Sequence, residues 1–362
     1  MYALGIHLGS LTTQAVYIDA LGDSGRLTDP DEARSYPIPS WVALDESGPL
    51  TGHAALRLRS SEAPPPPLIR FTRKALRGDD AVLAASIGPP RSADEIGVLL
   101  LKKILRDLPT QRRDDLHVAL TVPDRISSER RQRMHEAWSA AGLRHLHFVE
   151  DSLAVFEQTR GRAAFNGQAA LSLVFDEEAL NITLLRRQSA EWVAEITTVV
   201  EAISLLAIRN VLVETIKQDA RRLAGGDCAV EPPELTDYWY LHGDAFIRHC
   251  ADAPQTPFNR ELILRYGNRY LTLLFTPAAL DDSLDRLRRI LESRLLEFVQ
   301  RSANVTIDHA LCTGTLGVLL NASGLLQKTL GLRPAAMTSQ PDTALAHGAA
   351  LYAARNGNNA RS

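Results

Sequence analysis

The chain has 362 residues, of which 45% are hydrophobic and 23% are charged, a composition typical of soluble globular proteins. Its 40 Lys and Arg residues against 43 Asp and Glu residues give a formal net charge of -3, which provides no basic field for nucleic acid or an anionic membrane. No apolar run approaches the roughly 20 residues of a membrane span, and the first residues lack the pattern of a signal peptide. The sequence therefore predicts a cytoplasmic protein with two domains or one two-lobed fold.

The first half of the chain has the pattern of a hairpin followed by helices and strands. Short apolar segments on either side of Gly9 predict the hairpin. Further along, a helical pattern lies between two apolar runs, which indicates a parallel crossover. The predicted elements are strands at 3–8, 14–19 and 41–44, a helix at 94–108, a strand at 116–122, a helix ending at Gly142 and a strand at 145–149.

The second half repeats this order of strands and then a helix, which suggests a duplicated α/β fold. Its aromatic cluster, Tyr238, Trp239 and Tyr240, is interpreted either as the core of a small helical subdomain or as an exposed docking patch. The predicted elements are strands at 170–175, 181–186 and 191–199, a helix at 205–223, a hairpin at 261–275, a long helix at 280–298, a strand at 310–312, a helix after Gly314 and a last helix at 342–354.

Five blocks of the chain resemble one protein family. Their order and spacing are similar to the nucleotide-binding domain of the seventy-kilodalton heat-shock chaperones, the DnaK type, in the actin-like ATPase superfamily. The resemblance implies a duplicated two-lobed α/β fold with a central cleft, lobe I at 1–167 and lobe II at 168–362, with the last helix packing back toward lobe I. The family continues into a peptide-binding domain, and we expect no such substrate-binding domain here because the sequence stops at a polar segment, 356–362. The blocks are GIHLG at 5–9, IPSWVA at 38–43, FTRKALRG at 71–78, TVP with ERRQ, AAGL and EDSLA between 121 and 154, and PDTA with GAA at 341–350.

Four positions of this chain align with catalytic and metal-binding positions of the family. Two of the four carry a different residue, so the resemblance implies that the site is degenerate. His7 stands where the family has an aspartate that helps to hold hydrated magnesium, a task for which imidazole is poorly suited. We expect His7 to pack or to form a local hydrogen bond. Lys74 is retained, and Asp151 replaces a glutamate that is one methylene longer. Asp176 keeps an acid at the head of the second phosphate loop, so Asp151 and Asp176 are the residues left to bind a cation, although no metal is expected.

The loops that hold phosphate and adenosine in the family are also altered. Glycines of the second phosphate loop are replaced by Glu177, Glu178 and Ala179, and we expect the two carboxylates to repel a triphosphate. ATP or ADP with magnesium is the cofactor that the resemblance implies, and these changes disfavour it. The residues left to bind a nucleotide are Gly9, Ser10, Gly314, Thr315 and Asp342.

Three hypotheses for the function follow. The leading one is a catalytically degenerate protein that acts as a protein-binding module or assembly scaffold for an unidentified protein partner. The alternative is an active superfamily member, a weak ATPase or small-molecule kinase with an altered metal site, because Lys74, Asp151, Asp176 and Gly314 remain. The third is a filament former like the bacterial actins, although the blocks at 38–43 and 123–142 are closer to the chaperones.

Overall fold

The fold in a computed structural model is mixed α/β, which confirms the expected class. None of the helices within the described part of the chain is long and apolar enough to cross a membrane. The cluster at 238–240 and Asp342 lie outside the described residues. The structure describes residues 2–29, 31, 37–45, 48–58, 68–71, 73–77, 82–83, 91–106, 108, 115–139, 141–160, 167–189, 191–224, 242–243, 245–247, 249–250, 252–253, 256–258, 261–266, 269–274, 280–302, 305–337 and 343–359.

The first half forms the predicted hairpin and crossover. Gly142 follows the third helix with φ of 85°, a left-handed conformation that favours glycine after a helix. The strands are β1 (Tyr2–Leu8), β2 (Thr12–Ile18), β3 (Ser24–Arg26), β4 (Ile38–Pro39), β5 (Trp41–Asp45), β6 (Gly48–Thr51), β7 (Leu68–Arg70), β8 (Val82–Leu83), β9 (Arg91–Ser92), β10 (Leu116–Val122) and β11 (His145–Glu150). The helices are α1 (His53–Arg57), α2 (Ala93–Arg106), α3 (Ser128–Ser139) and α4 (Asp151–Arg160), with a 3-10 helix at Arg73–Leu76.

The second half differs from expectation after Gly314. The single predicted helix is divided in two, because Asn321 takes a left-handed conformation with φ of 50° and its side chain caps the second helix. The strands are β12 (Ala169–Phe175), β13 (Leu180–Gln188), β14 (Glu191–Val200), β15 (Glu261–Tyr266), β16 (Arg269–Leu274), β17 (His309–Thr313) and β18 (Pro334–Met337). The helices are α5 (Leu205–Ala224), α6 (Asp281–Arg301), α7 (Thr315–Leu319), α8 (Ala322–Leu330) and α9 (Ala344–Asn359).

The two main sheets share one connectivity. In the first, β1 pairs antiparallel with β2 and parallel with β10, and β11 extends the parallel side. In the second, β12 pairs antiparallel with β13 and parallel with β17, and β18 extends the parallel side. The strand orders are β11-β10-β1-β2-β3, with β4 also on β2, and β14-β13-β12-β17-β18. The repeated hairpin signals in the sequence therefore correspond to repeated sheets.

Helix α9 packs against β1, β2, β10 and α4 through small residues. A Cβ atom added to Gly348 would lie 1.8 Å from the carbonyl oxygen of Ala154, and one added to Gly5 would lie 1.9 Å from that of Ala346. Glycine is therefore required at both positions for backbone segments to approach this closely. The strands of the first sheet all precede residue 167, and the domain boundary there stays a prediction.

Candidate functional site

The β1–β2 turn (residues 9–12) lies at the centre of the candidate site. The Gly9 amide donates to the carbonyl oxygen of Thr12 over 2.9 Å, which closes a tight turn between antiparallel strands. The turn directs the backbone amides of Leu11 and Thr12 toward one carboxylate, that of Glu177. The start of the first hairpin thus supplies a small set of converging hydrogen-bond donors.

Glu177 comes from the equivalent turn of the second sheet, between β12 and β13. Its carboxylate accepts hydrogen bonds from the Leu11 amide at 2.5 Å, the Thr12 amide at 3.0 Å and the Thr12 hydroxyl at 2.6 Å. Glu177 is only 8% exposed, so these bonds form out of water. The β12–β13 turn therefore lies against the β1–β2 turn, and its Glu177 carboxylate accepts the hydrogen bonds that the β1–β2 turn donates.

Arg73 is buried beside this contact, at the start of the 3-10 helix. Its guanidinium forms a close ion pair with Asp151, and its Nε lies 3.1 Å from Oδ2 of Asp176 in an ion-pair contact that is not an aligned hydrogen bond. The guanidinium also donates to the carbonyl oxygen of Leu8 at 3.1 Å and to the hydroxyl of Thr121 at 3.3 Å. A cation from the chain itself therefore lies between two buried carboxylates.

His7 completes this group. Its Nδ1 lies 2.8 Å from the Thr121 hydroxyl, and its Nε2 lies 3.5 Å from Oδ1 of Asp176. The ring is buried at the end of β1. The sequence predicts that His7 packs or forms a local hydrogen bond, and in the structure the ring is buried and contacts Thr121, which is 114 residues away along the chain.

The two carboxyls next to Arg73 have opposite pKa shifts. Burial raises the pKa of Asp151 to about 6, against the charges of Arg73 and His7, and its Oδ2 has no hydrogen-bond partner among the described residues. Burial also disfavours ionised Asp176, but the contact with His7 and the charge of Arg73 outweigh it and hold the Asp176 pKa below its ordinary value. The Arg73 pKa is raised, since the Asp151 and Asp176 charges outweigh the effect of burial. Arg73 therefore stays charged and balances at least one carboxylate.

Two other polar contacts join the halves of the chain near the site. The Thr183 hydroxyl on β13 donates to Asp124 over 2.6 Å, and Asp124 also accepts from the amide and hydroxyl of Ser152. Arg77 donates to the side-chain oxygen of Asn181 over 2.6 Å. The site is therefore one of several polar contacts between the two halves of the chain.

Little space remains around these residues. A cavity of about 50 Å³ is lined in part by His7, Asp176, Glu177, Gly314 and Thr315. A second cavity, of about 170 Å³, lies on the Arg77 side of Arg73. Both volumes are below the roughly 300–1,000 Å³ of small-molecule sites. Across the described residues, no group of three or more His, Cys, Asp or Glu residues is arranged to hold a metal ion.

Comparison with known proteins adds no family assignment. No protein-family model matches the chain. A search of curated proteins also found no match. The residues themselves therefore carry every functional argument.

The structure brings together most of the residues predicted to form the site. His7, Asp151 and Asp176 share contacts with Arg73 or with one another, and the Ser10 hydroxyl accepts from the Arg73 amide over 2.8 Å. Gly9 forms the turn beside Glu177.

Two other predicted residues, Gly314 and Thr315, also line the smaller cavity. Gly314 has φ of 104°, and an added Cβ atom would lie 2.3 Å from the carbonyl oxygen of Phe175, so glycine is needed there. Thr315 begins α7 next to it. Lys74 lies in the 3-10 helix, but its side chain is outside the described part of the chain, and so is all of Asp342.

Sequence reasoning missed the roles of two charged residues. Arg73 belongs to a motif in which the sequence draws attention to Lys74, and nothing in the motif indicates that the Arg73 side chain is buried between two carboxylates. Glu177 was expected to repel a phosphate, whereas it binds the amides of the β1–β2 turn. The absence of glycine from the loop at 176–180 is the sequence feature that indicates that this loop does not bind phosphate.

Proposed function

We propose that this chain is a catalytically degenerate member of the actin-like ATPase superfamily, of the chaperone nucleotide-domain type, with two lobes around a cleft. It acts as a protein-binding module or assembly scaffold. The repeated sheet connectivity and the ordered sequence blocks support the proposed relationship.

The observation that carries the proposal is the position of Arg73. The resemblance implies a magnesium ion near His7, Asp151 and Asp176, and hard cations need oxygen ligands that are not already paired. Here the guanidinium contacts both carboxylates, and His7 lies against Asp176. A divalent ion at that place would be next to a buried positive charge, so these residues do not fit magnesium.

The hydrogen-bond donors of the β1–β2 turn, next to the predicted nucleotide residues Gly9 and Ser10, are occupied as well. The Leu11 and Thr12 amides and the Thr12 hydroxyl already bind the Glu177 carboxylate. A phosphate would have to displace this attached anion from the same donors. The residues therefore do not fit magnesium ATP, and no catalytic step is derived for it.

A thermal-shift experiment tests this proposal. A ligand at 100 times its Kd would stabilise the protein by about 2.7 kcal/mol and raise Tm by a few degrees. We expect no change in Tm with millimolar ATP or ADP, with or without magnesium. A magnesium-dependent increase would favour the alternative, a weak ATPase or small-molecule kinase.

The scaffold role is tested by the response of a partner complex to nucleotide. A tagged wild-type chain is purified from its native cells without nucleotide and then washed with magnesium ATP. We expect a stoichiometric protein partner that stays bound during the wash, because nucleotide does not act on the cleft. Release of the partner by magnesium ATP, or recovery of the chain alone, would contradict the proposal.

A further inference from the structure

We propose that the β1–β2 turn is an anion-binding site whose resident ligand is the carboxylate of Glu177, and that this internal ligand holds the two sheets in one closed arrangement without nucleotide. The ligand class is a small oxyanion with oxygen atoms about as far apart as those of a carboxylate. The inference goes beyond the proposed function, since it concerns what closes the cleft and not what the closed protein binds.

The donor set has the chemistry of an anion site. Each oxygen of Glu177 is used: Oε2 accepts from the Leu11 amide at 2.5 Å, and Oε1 accepts from the amide and hydroxyl of Thr12 at 3.0 and 2.6 Å. Hydrogen bonds from neutral donors to an ionised acceptor are about twice as strong as bonds between neutral groups. Consecutive backbone amides in a turn are a common way to bind anions.

Gly9 keeps this space open. A Cβ atom added to Gly9 would lie 2.5 Å from Oε2 of Glu177 and 2.6 Å from the carbonyl oxygen of Thr12. A side chain at this position would therefore collide with the bound carboxylate and with the turn itself. Glycine at position 9 is thus explained by the close approach of an anion.

The backbone of Glu177 is fixed on its own side of the contact. Its amide donates to Oδ1 of Asp176 over 2.7 Å, and its carbonyl oxygen accepts from the Leu206 amide at 3.0 Å, near the start of α5. The carboxylate is therefore presented from a turn that is held by the second sheet and its helix. Because 165 residues separate it from Thr12, the contact links two distant parts of the chain.

Separation of the two sheets would break this contact together with its neighbours. The ion pair between Arg73 and Asp176 and the hydrogen bond from Thr183 to Asp124 also join the two halves. Among these contacts, Glu177 is the one in which a side chain occupies a set of backbone amides. A free anion of the same chemistry can therefore replace it, which makes the inference testable by rescue.

The experiment compares the Tm of wild type, Glu177→Ala and Glu178→Ala in buffers of equal ionic strength. Glu178→Ala is the matched control because it removes the same charge from the adjacent position. We expect Glu177→Ala to lower Tm by roughly 3–8 °C, and sodium acetate or formate at about 100 mM to restore at least half of the loss. Chloride should restore nothing, and neither wild type nor Glu178→Ala should respond to acetate.

A separate arm with inorganic phosphate distinguishes a site for carboxylates from a site for oxyanions in general. Rescue by acetate and phosphate assigns a general oxyanion site, and rescue by acetate alone assigns a carboxylate site. Failure of both anions to rescue, or equal stabilisation of wild type, would overturn the inference.

Glu177→Gln keeps the inference testable if Glu177→Ala does not fold. This variant retains the side-chain volume and one acceptor oxygen but loses the charge. We expect the Leu11 and Thr12 amides to exchange with deuterium at least tenfold faster than in wild type, and unchanged exchange would overturn the inference. If wild type binds magnesium ATP, the proposed function fails. Anion rescue of Glu177→Ala still shows in that case whether the β1–β2 turn is an anion-binding site.

Discussion

Replacement of Arg73 by methionine is the sharpest perturbation of the site. The side chain is 3% exposed and pairs with Asp151, which is 0% exposed, and with Asp176, which is 7% exposed. Methionine keeps much of the volume but leaves the two carboxylates without their guanidinium. Loss of one partner from a buried ion pair costs about 3–5 kcal/mol, so we expect the free energy of unfolding at pH 7 to fall by about that amount.

The loss should depend on pH in a defined direction. Burial already raises the pKa of Asp151 to about 6 in the wild type, and removal of Arg73 removes the charge that opposes this shift. A carboxyl with a raised pKa in the folded state binds its proton more tightly than the unfolded chain does, so stability falls as pH rises through that pKa. The difference between wild type and Arg73→Met should therefore be smallest at pH 5, where loss of the Arg73–Asp176 pair still lowers stability, and should grow between pH 6 and pH 8.

Urea unfolding followed by circular dichroism at pH 5, 6, 7 and 8 measures this difference. Arg301→Met is the matched control, because Arg301 is 61% exposed and pairs with Glu297 on the surface of α6. Exposed pairs of this kind contribute about 0.3–0.5 kcal/mol. A loss for Arg73→Met that is no larger than the control, or one that does not change with pH, would refute the assigned role of Arg73.

Three further predictions follow from the same contacts and packing. Magnesium chloride at about 10 mM should raise the Tm of Arg73→Met by a few degrees and leave wild type unchanged, because the variant removes the cation from Oδ1 of Asp151 and Oδ2 of Asp176; equal responses in differential scanning fluorimetry would contradict this. Gly348→Ala should destabilise the protein by more than about 3 kcal/mol in urea unfolding, since its Cβ would lie 1.8 Å from a backbone oxygen, whereas Gly142→Ala, with φ of 85° and open space, should cost about 1 kcal/mol. Burial raises the pKa of the Cys312 thiol to about 12, so iodoacetamide should not label Cys312 in the folded protein at pH 8, and rapid labelling found by peptide mass spectrometry would show that β17 is accessible.

Much of the fold could be predicted because hydrophobic patterns report local structure directly. The strand predicted at 116–122 has the bounds of β10, and the hairpin predicted at 261–275 contains β15 and β16. The break between α7 and α8 could not be predicted, because it depends on the left-handed conformation of Asn321. Asparagine adopts that conformation more often than most residues but not regularly enough for the sequence to indicate it. Strand β18 is short, begins with a proline and pairs only partly in register, so its sequence resembles a loop.

The sequence predicts which residues form the candidate site, but it does not predict which of their side chains contact one another. His7, Asp151 and Asp176 were found through the spacing of the sequence blocks, and the structure brings them together. The contact between Glu177 and Thr12 spans 165 residues, and no local pattern in a sequence encodes a partner at that distance. The sequence shows that Glu177 is acidic. Whether its carboxylate attracts or repels the group opposite depends on whether that group is a backbone amide or a phosphate oxygen.

A crystal structure of the wild-type protein grown with millimolar magnesium ATP tests the central claim most directly. We predict that Arg73 lies between Asp151 and Asp176, that Glu177 binds the amides of Leu11 and Thr12, and that no nucleotide lies beside these residues. A magnesium ion on either aspartate with Arg73 displaced, or a phosphate on the β1–β2 turn in place of Glu177, would contradict the claim that the chain's own side chains occupy this site.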